Sequence, residues 1–133
     1  MEFKELYKDD IFANETGVVL EEVNDDYAKM HLKVERRHLN GGGYVHGGVV
    51  FLLADIAMAA MANHRQIGSV SIQSDIRFLS AAAEGDTLFA KSKAVFGGKT
   101  LNNCRVDIVN QDGKMIAIAE GMFYVKQSFP KKG

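Results

Sequence analysis

The sequence predicts an α+β fold in which a curved antiparallel sheet wraps around one long central helix. Two observations predict it. Residues 49–62 form a run without Gly or Pro, rich in Ala, Leu and Met and polar only at Asp55, and a helix that is apolar on every side has to be enclosed. Downstream, residues 69–78 alternate, with Val70, Ile72, Ser74, Ile76 and Phe78 on one side, and further strand-like runs follow at 86–96, 101–111 and 115–127. These strands are sufficient to do the enclosing.

Taken in order, Phe3, Leu6, Tyr7 and Ile11 recur at helical spacing and predict a short amphipathic helix over 3–12. Residues 18–23 and 27–35 predict a strand pair, the second alternating Ala28, Met30, Leu32 and Val34 against Lys29, His31, Lys33 and Glu35. Asn24-Asp25-Asp26 supplies the turn between them. The central helix at 49–62 falls short of the roughly 20 residues a bilayer crossing needs, so its expected surroundings are the sheet of this chain. The last four strands read as an antiparallel meander, with Gly97-Gly98-Lys99 and Asp112-Gly113 as hairpin turns.

A chain of 133 residues, 47% of them hydrophobic, suits one packed core and is short for two, so a single domain over 1–133 is expected. Lys and Arg total 16 against 17 Asp and Glu, with no long block of either sign. That balance excludes the broad basic field that attracts nucleic acid or anionic lipid, and neither nucleic acid nor membrane insertion is expected. Cys104 is the only cysteine, which rules out an internal disulfide and a Cys-based zinc site. His31, His38 and His64 lack the spacing of a preformed metal site, so no metal and no other cofactor is expected. Met1-Glu2-Phe3-Lys4 lacks the apolar run of a signal peptide, which makes the cytoplasm the expected location. Two motif-like strings fail. Gly97-Gly98-Lys99-Thr100 has Lys93 where a P-loop carries its first glycine, and around Asn110-Gln111-Asp112-Gly113 a calcium loop would need acidic ligands where Ile108 and Ala119 stand.

A carboxylate inside an apolar helix costs several kcal/mol unless it is paired, hydrogen-bonded or open to a water-filled cleft. Asp55 is therefore either a general base at a site or one half of an ion pair or hydrogen bond at a helix interface. Gly47 and Gly48 open the same helix, where backbone N–H groups lack intrahelical acceptors and the dipole is positive. They suit a developing oxyanion, or they permit a tight entry to the helix.

Asn40-Gly41-Gly42-Gly43-Tyr44-Val45-His46-Gly47-Gly48, followed by Leu53-Ala54-Asp55, resembles the Asn-x-x-Gly-x-x-His-Gly-Gly then Leu-Ala-Asp signature of hotdog-fold thioesterases of the phenylacetate-degradation (PaaI-like) type. The resemblance continues through 71–78, the Gly98-Lys99-Thr100 turn and the final strand, and so covers nearly the whole chain apart from its ends. It implies a hotdog fold around a helix from Gly47 to about His64. It also implies hydrolysis of acyl-CoA, with coenzyme A as part of the substrate, and assembly into homodimers or into homotetramers made of two dimers.

The resemblance further implies roles for named residues. Asp55 acts as general base, or as nucleophile through an anhydride, and the Gly47 N–H polarises the thioester carbonyl. Asn40 helps hold the substrate carbonyl or the water, and Ser71 touches the attacking water; His46, directly before Gly47, is placed to orient the same loop or to hydrogen-bond the carbonyl. Read on their own, Asn40 equally fits an Asx turn, His46 a helix cap, and Ser71 the outward side of an alternating strand. Gly48, Arg77 and Lys99 are assigned to substrate binding; Arg36, Arg37 and Lys126 are further cations available to coenzyme A phosphates. Ser80-Ala81-Ala82 stands where the family commonly carries Arg-Pro, so no nucleotide contact is carried over from that loop.

Gly47 and Asp55 are eight residues apart in sequence, about 12 Å along a helix, whereas base, water and carbonyl assemble through contacts of roughly 3 Å. A two-fold dimer in which Asp55 of one subunit faces Gly47 of the other meets both conditions. Two other functions fit the sequence: a non-catalytic acyl-CoA binding module, and an acyl-thioester dehydratase or hydratase. The second normally has an acidic residue nearer the helix start, where this chain has Phe51, Leu52 and Leu53.

Overall fold

A computed structural model describes residues 2–126; Gln127, the predicted end of the final strand, lies outside the described residues. In chain order the elements are α1 (Phe3–Lys8), α2 (Ile11–Thr16), β1 (Val19–Val23), β2 (Ala28–Lys33), a 3-10 turn (Arg36–His38), α3 (Gly47–Arg65), β3 (Ser69–Phe78), β4 (Thr87–Gly97), β5 (Leu101–Val109) and β6 (Met115–Val125). The sheet wraps α3, as expected of a hotdog fold.

The single N-terminal helix expected over 3–12 is two helices. The Asp10 side chain accepts the Ala13 N–H at 3.0 Å and starts the second one, an N-cap preference that overrides the continuing apolar spacing. Gly17, at φ 99°, ends it in the left-handed conformation. Phe3 and Tyr7 bury α1 against the core.

Helix α3 runs further than residues 49–62, because His46 caps its start and His64 and Arg65 extend its last turn. At 19 residues it is long and apolar enough to cross a membrane by length and composition, contrary to the expectation from the shorter run. What meets its apolar surface is the sheet. Leu53, Met58 and Met61 are fully buried, and the Ser92 hydroxyl of β4 donates to the Ala57 carbonyl at 2.5 Å. Asn63 closes the far end: its Oδ1 accepts the N–H groups of Gly68 and Ser69, and its Nδ2 donates to the carbonyls of Ala59 and Ser69. This clamp fixes where β3 leaves the helix.

The six strands are antiparallel in the order β1-β2-β4-β5-β6-β3, which corrects the predicted meander. Strands β4, β5 and β6 form a meander, but β3 pairs with β6 at the far edge and β2 takes the place beside β4. The connection after Phe78 is too long for a hairpin. It carries the chain across the start of α3 to where Val34 and Asp86, and Gly85 and Val34, are hydrogen-bonded at 2.8 Å each.

The register separates two sheet faces. Met30, Ala90, Val106 and Ala119 face the helix and are buried, while Lys29, Lys91, Arg105 and Glu120 alternate with them on the outer face. Strand β3 departs from simple alternation through a bulge between Ser71 and Gln73. Ser74 stands opposite Gly121 on the helix side, and beyond the bulge Ser71 joins it there, with the two hydroxyl oxygens 3.2 Å apart. Ser71 is thus not on the outward side that alternation alone assigns to it.

Candidate active site

The loop before α3 is built around Asn40. Its Oδ1 accepts the N–H groups of Gly42 at 2.9 Å and Tyr44 at 3.2 Å, and its own N–H donates to the Tyr44 carbonyl at 2.7 Å. Gly43 sits at φ 86°, where a side chain would be strained. Two further bonds, from the Val45 N–H to the Ala82 carbonyl and from the His46 N–H to the His38 carbonyl, pin the loop over the end of the sheet. The Asn40 carboxamide oxygen is therefore committed to the loop. Its Nδ2 is without a hydrogen-bond partner among the described residues.

At the helix start, donors and acceptors can be matched one by one. The Gly48 N–H donates to His46 Nδ1 at 3.0 Å, and the N–H groups of Val49 and Val50 donate to the His46 carbonyl at 3.0 and 3.3 Å. The Gly47 N–H has no acceptor among the described residues. Of the two glycines, then, Gly48 is occupied by the cap and Gly47 is open. Gly47 lines a cleft of about 370 Å³ with Asn40, Tyr44, Phe78, Leu79 and Ser80. Tyr44, Phe78 and Leu79 are exposed apolar side chains around it. A Cβ added at Gly47 would meet the Phe78 ring at 3.4 Å, so any larger side chain would crowd the cleft.

His46 acts through its cap, with Nδ1 as acceptor. Replacing it by Ala is expected to cost about 1 kcal/mol of stability, read as a lower melting temperature. The same change should lower turnover much less than loss of the open donor at Gly47.

Asp55 lies two turns further along α3, half-buried. Burial raises its carboxyl above the usual Asp range, and the negative charge of Asp10 adds to the shift. Asp55 does not line the Gly47 cleft. Asp10 was not singled out from the sequence, although an Asp directly before the apolar residues Ile11-Phe12 carries an N-cap signal.

The remaining predicted site residues are spread out. Ser71 is exposed on the helix-facing side of β3. Arg77 lies on the outer face of β3, in a different cleft with Asp75, Arg105 and Glu120. Lys99 belongs to the β4–β5 turn, at the end of the sheet where the Arg65 guanidinium of the last turn of α3 rests against Gly97. One chain brings Gly47 and Asn40 to one cleft and Gly48 and His46, joined by the cap, to a second one beside Arg37 and Leu52; it brings none of Asp55, Ser71, Arg77 or Lys99 to either.

Residues 42–117 match the model of the Thioesterase superfamily. The chain belongs to that family and is a thioester hydrolase with a PaaI-like hotdog fold. Acyl-coenzyme A thioesterase PaaI of Escherichia coli is 32% identical over 116 residues, 87% of this chain and 83% of that protein. The solved structure of E. coli PaaI superposes with a TM-score of 0.92 at 29% identity, covering 96% of this chain and 92% of that one. A hypothetical thioesterase protein from Streptococcus pneumoniae, solved with coenzyme A, gives a TM-score of 0.83 at 30% identity over 96% of this chain and 98% of that one. Acyl-coenzyme A thioesterase 13 of Mus musculus is 36% identical over 89 residues, 65% of this chain and 64% of that protein.

Proposed function

We propose that this enzyme hydrolyses acyl-coenzyme A to a free acid and coenzyme A, at sites shared between the two subunits of a homodimer. The observation that carries the reading is the open Gly47 N–H, the first-turn donor of α3 without an acceptor among the described residues, at a glycine that lines a cleft with Asn40, Tyr44 and Phe78. The relatives support the substrate class: two are named acyl-coenzyme A thioesterases, and another was solved with coenzyme A.

In this reading the thioester oxygen accepts the Gly47 N–H at the positive end of α3, and the Asn40 Nδ2 supplies a second donor. Asp55 takes a proton from water as its oxygen bonds to the carbonyl carbon. The tetrahedral oxyanion then collapses, breaking the C–S bond, and the departing thiolate takes up the proton that Asp55 removed from water, which returns Asp55 to its ionised form. Ser71 orients the water. Gly48 contributes through the cap that it makes with His46, and Arg77 and Lys99, away from the cleft of their own subunit, are available to the phosphates of a substrate bound to the other.

Three features favour the shared site. Asp55 lies about 12 Å along the helix from Gly47, too far to serve it directly. It has no ion-pair partner among the described residues. Strand β3 leaves one sheet edge open, with Ile72 and Phe78 exposed along it, an edge that soluble proteins normally cover. A homotetramer would pair two such dimers. Thiol release from a panel of acyl-CoA substrates tests the activity, with Asp55→Asn as the inactive control; binding without release by the unaltered enzyme would contradict it.

The general-base role carries a pH dependence. Asp55 works only when ionised, so the rate should fall as acid protonates it, over a range lying above the usual Asp titration because its carboxyl is raised. Asp10→Asn keeps a capping side chain on α2, since Asn caps as well as Asp, but removes the neighbouring charge. The acid limb of kcat is then expected to move to lower pH, with the melting temperature little changed. An unmoved limb would separate Asp10 from Asp55.

A further inference from the structure

His38 is a buried polar residue for which the reaction as described has no use. Its ring is bonded on both sides. Nδ1 accepts the Glu35 N–H at 2.9 Å, and a backbone amide can only donate, so the ring proton sits on Nε2. The Nε2–H then donates to the Thr16 carbonyl, in the last turn of α2, at 2.7 Å. Carbonyls at a helix C-terminus lack intrahelical donors, and the exposed Arg37 side chain serves the same end of α2, reaching the Glu15 carbonyl at 2.5 Å and that of Thr16 at 3.3 Å. Helix α2 is itself fixed to the core through the fully buried Ala13.

The main chain of His38 makes the next link. Its carbonyl accepts the His46 N–H at 2.7 Å, and a bridge between Leu39 and Val45 closes the same loop. His46 is thereby held at both ends, since its own carbonyl accepts the N–H groups of Val49 and Val50 at 3.0 and 3.3 Å. The peptide unit joining His46 to Gly47 is planar and trans, so its N–H points opposite to that carbonyl. With the carbonyl turned into the helix, the Gly47 N–H is turned out of it. We propose that His38 is a positioning residue for thioester hydrolysis: its ring ties the 36–38 turn to α2, and the carbonyl of that turn, through His46, keeps the Gly47 N–H aimed. The proposal rests on Gly47 being the oxyanion donor. A histidine that only holds the fold together would affect stability; one that aims a donor also affects kcat, because such a donor works within a narrow range of distance and direction.

The test compares His38→Gln, His38→Asn and His38→Ala, each alone and combined with Gly47→Val, by thiol release from an acyl-CoA well below every melting temperature. The Gln amide nitrogen falls where Nε2 was and keeps the bond to Thr16; the Asn oxygen falls where Nδ1 was and keeps only the bond from Glu35. Should the Ala variant not fold, Asn and Gln carry the comparison. In the Asn and Ala variants kcat is expected to fall roughly ten-fold with KM little changed, and Gln should restore most of it. In the Gly47→Val background, where the donor is already blocked, the same changes should cost less than about two-fold, because two residues that serve one donor are not additive. Ring 15N spectra should show His38 in its Nε2–H form. The proposal is overturned by undiminished kcat in the Asn and Ala variants, by Gln restoring no more than Asn, by an Nδ1–H tautomer, or by His38 losses that multiply unchanged onto Gly47→Val. Wild-type kcat in Gly47→Val itself would instead overturn the donor reading, and this proposal with it.

Discussion

Replacing Asp55 by Asn is expected to lower thioester turnover about 10²–10⁴-fold, the range spanned by a positioned general base, while the protein remains folded. The stability half of the result follows from the raised carboxyl. A carboxylate whose folded-state pKa lies above its unfolded value weakens the fold at neutral pH, where it is ionised, and the penalty disappears as pH falls below the unfolded value. The Asn variant should therefore melt at or above the wild-type temperature near neutrality, with the difference closing in acid. A variant that is inactive and also clearly less stable would point to Asp55 as a structural partner. Differential scanning fluorimetry across pH, run beside thiol release, separates the two.

The second large effect is expected at Gly47. Gly47→Val should reduce kcat by about 10²–10³-fold, as loss of one oxyanion donor does elsewhere. The backbone N–H survives the substitution, but the side chain enters the cleft beside the Phe78 ring, which already lies 3.4 Å from where a Cβ would be. Access of the carbonyl oxygen to the donor is then blocked. Gly47→Ala should fall between Val and wild type. At Gly48 the donor is taken by His46 Nδ1 at 3.0 Å, so Gly48→Ala should act through the cap and stability, with a much smaller change in kcat. Equal kcat losses at the two glycines would contradict the assignment of the open donor.

The parts legible in the sequence were those set by local periodicity. The apolar run around Asp55 announced a wrapped helix, and the alternation of β2, β4, β5 and β6 placed those strands to within a few residues. Asn24 also behaves as a turn residue should, its Oδ1 accepting the N–H groups of Asp26 and Tyr27. What escaped was set by competition between local signals or by long-range pairing. Asp10 breaks a helix that hydrophobic spacing alone would continue. The place of β3 beside β6 depends on which strands close around α3, and period-2 patterning is the same for every neighbour. Ser71 changes face because of one bulged residue, and alternation carries no mark of that. The site shows the same division. The Gly47 and Asp55 positions were readable as residue types out of place, but only the hydrogen bonds distinguish the open Gly47 donor from the occupied one at Gly48. Arg77 shows a different gap: alternation sets it opposite Ile76 and Phe78, on the outer face, and its charge alone had made it a candidate ligand.

The claim that matters most is that the two halves of the site belong to different subunits, and subunit mixing tests it directly. Asp55→Asn and Gly47→Val proteins, each nearly inactive, are combined in equal amounts, and subunit exchange is verified by intact-complex mass spectrometry. A shared site predicts that each heterodimer regains one site with Asp55 and Gly47 both intact, so random exchange should restore about a quarter of wild-type activity. Full exchange with activity no higher than the average of the two parents would contradict it.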